Sequence, residues 1–217
     1  MQRRDFSRSL LAAGTTALGA ASGLTLTPAL AQRVGPKEGV DFMRLAQPAP
    51  VQSPASQVEV LEFFAYSCIH CFNFEPIFED WIQKKPAHVT VRRMPVAFSP
   101  QFVPMQRLYF TLEAMNLVDK LHAKVFQAIH VERLPLTTPP AIIDWVAKQG
   151  VDRAKFTEIF DIAATGQKAQ QAVNLQDAYG VEGTPALGIG GRYYLPGQGP
   201  RTLVVANALI AELRAKA

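Results

Sequence analysis

Two hydrophobic rhythms alternate along the chain, and their order predicts its architecture. Gln57 to Tyr66 is a run of β-branched and aromatic residues only lightly interrupted by charge. Such a run predicts a strand buried on both faces, as in a sheet covered by helices. From Cys68 to Lys85 the apolar residues fall at helical spacing, with Phe74, Ile77, Phe78 and Trp81 on one stripe. Ser67 offers a side chain to cap this helix, and Pro86 ends it. Val89 to Phe98 predicts a second strand, which completes a strand–helix–strand unit.

Between about residue 101 and residue 179 the rhythm is almost purely helical. Met105, Leu108, Tyr109 and Leu112 share one face, and Val118, Leu121, Val125, Phe126 and Ile129 share the next. A proline-rich break from Leu134 to Pro140 separates these from Ile142, Ile143, Trp145 and Val146. Phe156, Ile159 and Phe160 follow, and then an Ala/Gln-rich segment up to Tyr179. Strands resume at Ala186 to Leu195, with Gly190-Gly191 as a hairpin turn, and an amphipathic helix from Thr202 to Lys216 closes the chain. Upstream, residues 32–56 contain Pro36, Pro48, Pro50 and Pro54 and predict an extended lead-in with one short strand near Asp41 to Leu45. The order is β-α-β, helical block, β-β-α, an α/β chain without internal repeats.

The first 31 residues stand apart from that pattern. Arg3, Arg4 and Arg8 precede a Leu/Ala/Gly/Thr run, which ends in the small-x-small triplet Ala29-Leu30-Ala31. This is the anatomy of an export signal cleaved after Ala31, so the mature protein, residues 32–217, is expected outside the cytoplasm, which in a two-membrane bacterium is the periplasm. Gly14, Gly19, Gly23 and several threonines dilute the run too far for a good membrane span. Arg3-Arg4-Asp5-Phe6 resembles a twin-arginine signal, whose route carries folded cargo.

Composition narrows the function classes. Hydrophobic residues make up 48% and charged residues 18%, a globular balance. The formal net charge of +4 includes no basic block long enough for a nucleic-acid footprint. A chain of this size buries enough surface to hold its core without a disulfide. Its two cysteines, Cys68 and Cys71, are therefore free for chemistry.

They sit where a strand passes into a helix. The first N–H groups of a helix are unpaired and carry about half a positive charge, so a thiolate there is stabilised. That lowers the pKa of Cys68 and makes it an attacking and leaving group at neutral pH. Cys71, one turn deeper, can close a small disulfide with it. The His70 side chain can be positive and donate toward the Cys68 sulfur, favouring the reduced form and so an oxidising disulfide. A zinc site would need two more ligands, and His88, His122 and His130 have no paired metal-ligand spacing. Haem attachment requires His directly after the second cysteine, where this chain has Phe72. An inert disulfide of so small a ring would constrain little of the unfolded chain. The expectation is redox chemistry with neither metal nor cofactor.

Two further positions stand out. Glu62 is an acid in an apolar strand: either a paired or edge-facing glutamate, or a buried carboxylate of raised pKa that relays a proton for Cys71, with Arg93 of the neighbouring strand as its counter-charge. Thr184-Pro185 opens the strand after the helical block, where proline suits a first strand position.

Val60-Leu-Glu-Phe-Phe-Ala-Tyr-Ser-Cys-Ile-His-Cys-Phe-Asn-Phe-Glu75 resembles the active-site segment of the DsbA family, exported bacterial thiol:disulfide interchange proteins. Tyr179-Gly-Val-Glu-Gly-Thr-Pro-Ala186, followed by Gly190-Gly191-Arg192-Tyr193, resembles that family's cis-proline loop and hairpin. The resemblance covers nearly all of the mature chain. It implies a thioredoxin fold with an all-helical insertion, and a catalyst that donates its disulfide to newly exported proteins with free cysteines. It implies Cys68 as exposed nucleophile, Cys71 as buried resolving thiol, His70 as tuning residue and Glu62 as buried acid. Pro185 would be the cis proline facing the disulfide, and the Thr184 backbone would pair with a substrate strand. A DsbB-like quinone-linked membrane oxidase would restore the disulfide of a monomeric enzyme. Ile69 stands where the best-known members have Pro, and Thr184 where many have Val. Thr at that place is familiar from disulfide isomerases, but residues 33–56 are too short for the dimerisation domain those carry. Oxidase is therefore the first reading. An isomerase or reductase is the second, and a non-enzymatic module binding a metal such as Cu(I) or a client protein the third.

Overall fold

The computed structural model describes Gly35 to Lys216. The expected export signal lies outside the described residues. Strands β1 (Met43–Arg44), β2 (Val58–Phe64), β3 (Val89–Pro95), β4 (Ala186–Ile189) and β5 (Tyr193–Pro196) form one sheet in the order β1-β5-β4-β2-β3. β2 and β3 are parallel, joined through α1 (Ile69–Lys84), while β4, β5 and β1 run antiparallel to their neighbours. Helices α2 (Val103–Ala114), α3 (Val118–His130), α4 (Pro139–Lys148), α5 (Arg153–Asp161) and α6 (Ala163–Tyr179) form the insertion between β3 and β4, and α7 (Pro200–Ala215) closes the chain. This is the expected thioredoxin fold with a helical insertion.

Every residue of β2 is buried, because both faces of the sheet are covered. Val58 and Val60 face a core shared with Phe74, Phe78 and Trp81 of α1 and Val205, Leu209 and Ile210 of α7. Leu61 and Phe63 face a second core, shared with Leu108, Leu112, Leu121 and Phe126 of the insertion. The alternation is the period of two that a strand imposes. The insertion is also tied by polar contacts. Gln106 Nε2 donates to the Pro95 carbonyl (2.8 Å), and Ala97 N–H donates to Gln176 Oε1 (2.9 Å).

The elements lie close to their expected bounds, with two physical differences. β2 and β3 stop short because the chain leaves the sheet at Ala65 and Val96, into the loops that lead to α1 and to the helical insertion. Pro76 sits inside α1 and deprives the Phe72 carbonyl of its helical donor without ending the helix. The predicted hairpin turns at Gly190 and Gly191, both with positive φ (57° and 68°), the geometry that matches strand twist and favours glycine.

Candidate active site

The site is built where β2 ends and α1 begins. Ser67 was expected to cap α1, but Cys68 takes that position: its backbone is extended (φ −87°, ψ 115°) and its Sγ accepts the Cys71 N–H at 3.4 Å. The thiol itself thus does the work assigned to the serine hydroxyl. Cys68 N–H donates back to the Ala65 carbonyl (3.0 Å), closing the turn that places the sulfur over the helix N-terminus. No acidic residue lies in the first turn of α1 to oppose a thiolate.

The two sulfurs occupy different environments. Cys68 is half-buried, whereas Cys71 is fully buried in the insertion-side core. Cys71, donating its thiol hydrogen, is the main influence that pulls the Cys68 pKa down to about 5. Partial burial opposes this, while the Thr184 side chain and the backbone N–H groups of Cys71 and His70 assist. Cys71 is pushed far up by that same hydrogen bond and by burial. One sulfur carries the charge and the other keeps the proton.

Thr184 lies 116 residues away in sequence, yet its carbonyl oxygen stands 3.3 Å from Cys68 Sγ, where it accepts from the protonated thiol and loses that bond when the thiolate forms. The following peptide bond, Thr184-Pro185, is cis. Beside the cysteines a cleft of about 510 Å³ is lined by His70, Asn73, Ile77, Thr184, Pro185 and Gly197, among others. His70 borders this cleft. Its side chain is exposed and makes no hydrogen bond to Cys68 among the described residues, while its backbone N–H adds the smallest of the influences that lower the Cys68 pKa. The reason is helical geometry: at the second position of α1 the N–H points toward the cap while the side chain points outward.

Glu62 is 1% exposed and ion-paired with Arg93, its register neighbour on β3 (Nε to Oε2, 3.0 Å). The same guanidinium reaches Glu75 (3.1 Å) and Glu79 on α1. Three carboxylates share one cation, and burial pushes the most enclosed of them, Glu62, up to about 8 despite Arg93. Glu75 is also pushed up by burial, but His122 and Arg93 outweigh this and hold it below the usual carboxylate range. Burial lowers His122, with Glu75 pulling the other way. A neutral His122 accepts at Nδ1 from the Tyr66 hydroxyl (2.8 Å) and turns Nε2 toward Glu75 Oε1 (3.4 Å).

In the sequence His122 and His130 stand out only as potential metal ligands, and Tyr66 and Glu75 do not stand out. His130 Nε2 donates to the Tyr66 carbonyl (2.8 Å), and its ring stacks on Phe72. The loop between β2 and α1 is therefore held from above by two histidines of α3. A signal was available: His122 lies on the same stripe as Val125 and Phe126, and Glu75 on that of Cys71 and Phe78. A polar residue on a buried stripe demands a partner. Among the described residues no group of three or more His, Cys, Asp and Glu side chains is placed to hold a metal ion.

Known proteins resemble this chain in sequence and in fold. The DSBA-like thioredoxin domain family matches residues 59–206. The thiol:disulfide interchange protein DsbA of Bordetella pertussis is 43% identical over 193 residues, covering 89% of this chain and 87% of the relative. The crystal structure of Pseudomonas aeruginosa DsbA superposes with a TM-score of 0.77 at 35% identity, over 81% of this chain and 93% of that one. The DsbA oxidoreductase from Xylella fastidiosa gives 0.78 at 26% identity, over 83% and 98%. With a low-pKa cysteine at a helix cap, a buried partner one turn on and this kinship, the chain belongs to the DsbA family and is a thiol:disulfide oxidoreductase.

Proposed function

We propose that this protein is a periplasmic oxidase that donates a Cys68–Cys71 disulfide to newly exported proteins. The carrying observation is the split between the two sulfurs, one acidic and half-buried, the other enclosed and protonated. In the oxidised enzyme a substrate thiolate attacks Cys68 Sγ, the Cys68–Cys71 bond breaks, and Cys71 leaves and takes up a proton. A second substrate thiolate then attacks the substrate sulfur of the mixed disulfide. The substrate disulfide forms, Cys68 departs as the stabilised thiolate, and two electrons have passed to the enzyme. A good leaving group speeds this second step.

The roles follow from position. Cys68 is the nucleophile of the reverse reaction and the atom attacked in the forward one, and Cys71 is the resolving thiol. Thr184 and Pro185 form the wall against which a substrate strand pairs. His70 tunes the potential through its backbone N–H and lines the substrate cleft. Glu62 is the buried acid behind the pair. Reoxidation falls to a DsbB-like quinone-linked membrane protein. Export through the signal at residues 1–31 supports the periplasmic assignment, and among the described residues no helix is long and apolar enough to cross a membrane.

The test is substitution of each sulfur. Cys68→Ala abolishes disulfide donation, whereas Cys71→Ala accumulates mixed disulfides with substrates, visible on non-reducing gels. Adducts formed through Cys71 in Cys68→Ala would reverse the assignment. The redox equilibrium with glutathione separates the oxidase from an isomerase or reductase, which would hold its pair reduced.

A further inference from the structure

The proline-rich lead-in has so far carried no chemistry, yet it touches the wall of the substrate cleft. Residues 37–42 close a tight turn: Lys37 N–H donates to Asp41 Oδ2 (2.8 Å), and Gly39 N–H donates to the Phe42 carbonyl (2.8 Å). Phe42 anchors the turn in the core, edge-on to Tyr193 at 5.5 Å. From this anchored turn Asp41 presents its carboxylate to Arg201 in a two-pronged pair, Nε to Oδ1 at 3.1 Å and Nη2 to Oδ2 at 2.9 Å. Gln198 Nε2 adds bonds to the Val40 and Asp41 carbonyls, both at 3.3 Å.

Gln198 belongs to the connection from β5 to α7 and Arg201 to the first turn of α7, and Gly197 and Gly199 of that connection line the cleft with Pro200, His70, Thr184 and Pro185. That connection touches the proline loop backbone to backbone. A Cβ on Gly197 would stand 2.4 Å from the Pro185 carbonyl oxygen, so residue 197 must be glycine for the loop to lie where it does. The loop is thus held at two sides, by Pro185 on the cysteine side and by the Asp41 turn on the other. A partly exposed ion pair adds little to stability, but a two-pronged one restricts geometry.

We propose that Asp41 and Arg201 are positioning residues, a clasp by which the lead-in holds the outer wall of the substrate cleft. The proposal rests on the reading that the cleft beside Pro185 takes the substrate chain. Small dithiols reach Cys68 without using the wall, whereas an extended peptide uses both sides of it. Losing the clasp therefore slows peptide and spares the intrinsic chemistry of the pair.

The experiment is single-turnover reduction of the oxidised full-length mature enzyme by a cysteine-bearing peptide and, separately, by dithiothreitol. Asp41→Asn and Arg201→Gln lower the second-order rate with peptide about tenfold, short of the roughly 100-fold that a 1 Å misplacement costs a positioned reaction. The rate with dithiothreitol, the Cys68 pKa and the glutathione equilibrium stay at wild-type values. Arg201→Lys, which keeps a cation beside Asp41 and leaves the Lys37–Asp41 bond untouched, restores part of the peptide rate lost in Arg201→Gln. Equal slowing with both reductants, or wild-type peptide rates in both single variants, overturns the clasp. Asn73→Trp, which fills the cleft from α1, distinguishes the two readings. Slow peptide reduction in that variant with normal rates in the clasp variants rejects the clasp alone. Normal rates in all of them reject the cleft as the substrate site.

Discussion

At Cys68 a single side chain serves as helix cap, nucleophile and leaving group, and these uses reinforce one another. The donors that cap the helix are the donors that stabilise the thiolate, so helix formation and acidity share a cause. The Cys68 pKa near 5 lies below the value of about 8.5 for a thiol in an unfolded chain. A group with a depressed folded pKa contributes stability that is complete above the unfolded value and is lost as pH falls through the folded one. Between about pH 5 and 8 the reduced protein therefore gains stability with rising pH relative to the oxidised form, in which Cys68 carries no proton to lose. Urea unfolding of both forms at pH 5 and pH 8 checks this: the reduced form is the more stable at pH 8, and the gap narrows at pH 5. A more stable oxidised form at pH 8 would sink the oxidase reading. His70→Ala keeps the backbone N–H that reaches Cys68, so its thiolate absorbance still titrates far below the free thiol value. A midpoint near 8.5 in that variant would return the activating role to the imidazole.

At the scale of elements, the pairing of β2 with β3 sets two acids beside two arginines on opposite faces. Glu59 meets Arg92 on the insertion side (3.0 Å) and Glu62 meets Arg93 on the α1 side (3.0 Å). On the α1 side the acids outnumber the cation, and Glu62 holds its proton up to about pH 8. A raised folded pKa works opposite to that of Cys68. Its stabilisation is complete below the unfolded value near 4.5 and is lost as pH rises through the folded one. In the oxidised protein, where the cysteines do not titrate, Glu62 thus lowers stability between about pH 4.5 and pH 8. Glu62→Gln keeps the shape and removes the titration. Its denaturant midpoint falls less than the wild-type midpoint between pH 5 and pH 8, and parallel profiles would show that Glu62 is ionised throughout.

Across the whole molecule, the helical insertion and the lead-in hold the thioredoxin core at the two sides of the cysteines. α3 fixes the loop before Cys68 through His122 and His130, and the Asp41 turn reaches the far wall of the cleft. The two cores that flank the sheet need no disulfide to hold them, so the chain can fold in a reducing compartment before export. That is the condition for the twin-arginine route, and Arg3→Lys with Arg4→Lys should block export of the folded protein. The measurement is periplasmic accumulation of the variant, and of the wild type in a strain lacking that translocase. Unchanged accumulation in that strain would assign the signal to the general secretory route.

The amino-acid sequence alone determined the order β-α-β, helical block, β-β-α and the place of Cys68 and Cys71 at the strand-to-helix junction. Both are local properties, written in the period of apolar residues and in the unpaired N–H groups that any helix start exposes. It also singled out Glu62, because an acid in an apolar strand is anomalous without reference to anything distant. The tertiary structure decided what each of these meets. Ser67 was an adequate cap by residue type, and Cys68 displaced it because the turn closing on Ala65 leaves the sulfur over the helix end. Arg93 was foreseeable as a strand neighbour, but its division among Glu62, Glu75 and Glu79 depends on how α1 lies across the sheet. Thr184 reaches Cys68 across 116 residues only once β4 has paired with β2, and Asp41 reaches Arg201 across 160 only once the lead-in has docked. Periodicity records which face of an element is buried. It does not record what lies opposite, because that partner is chosen by chain closure over distances no local pattern spans.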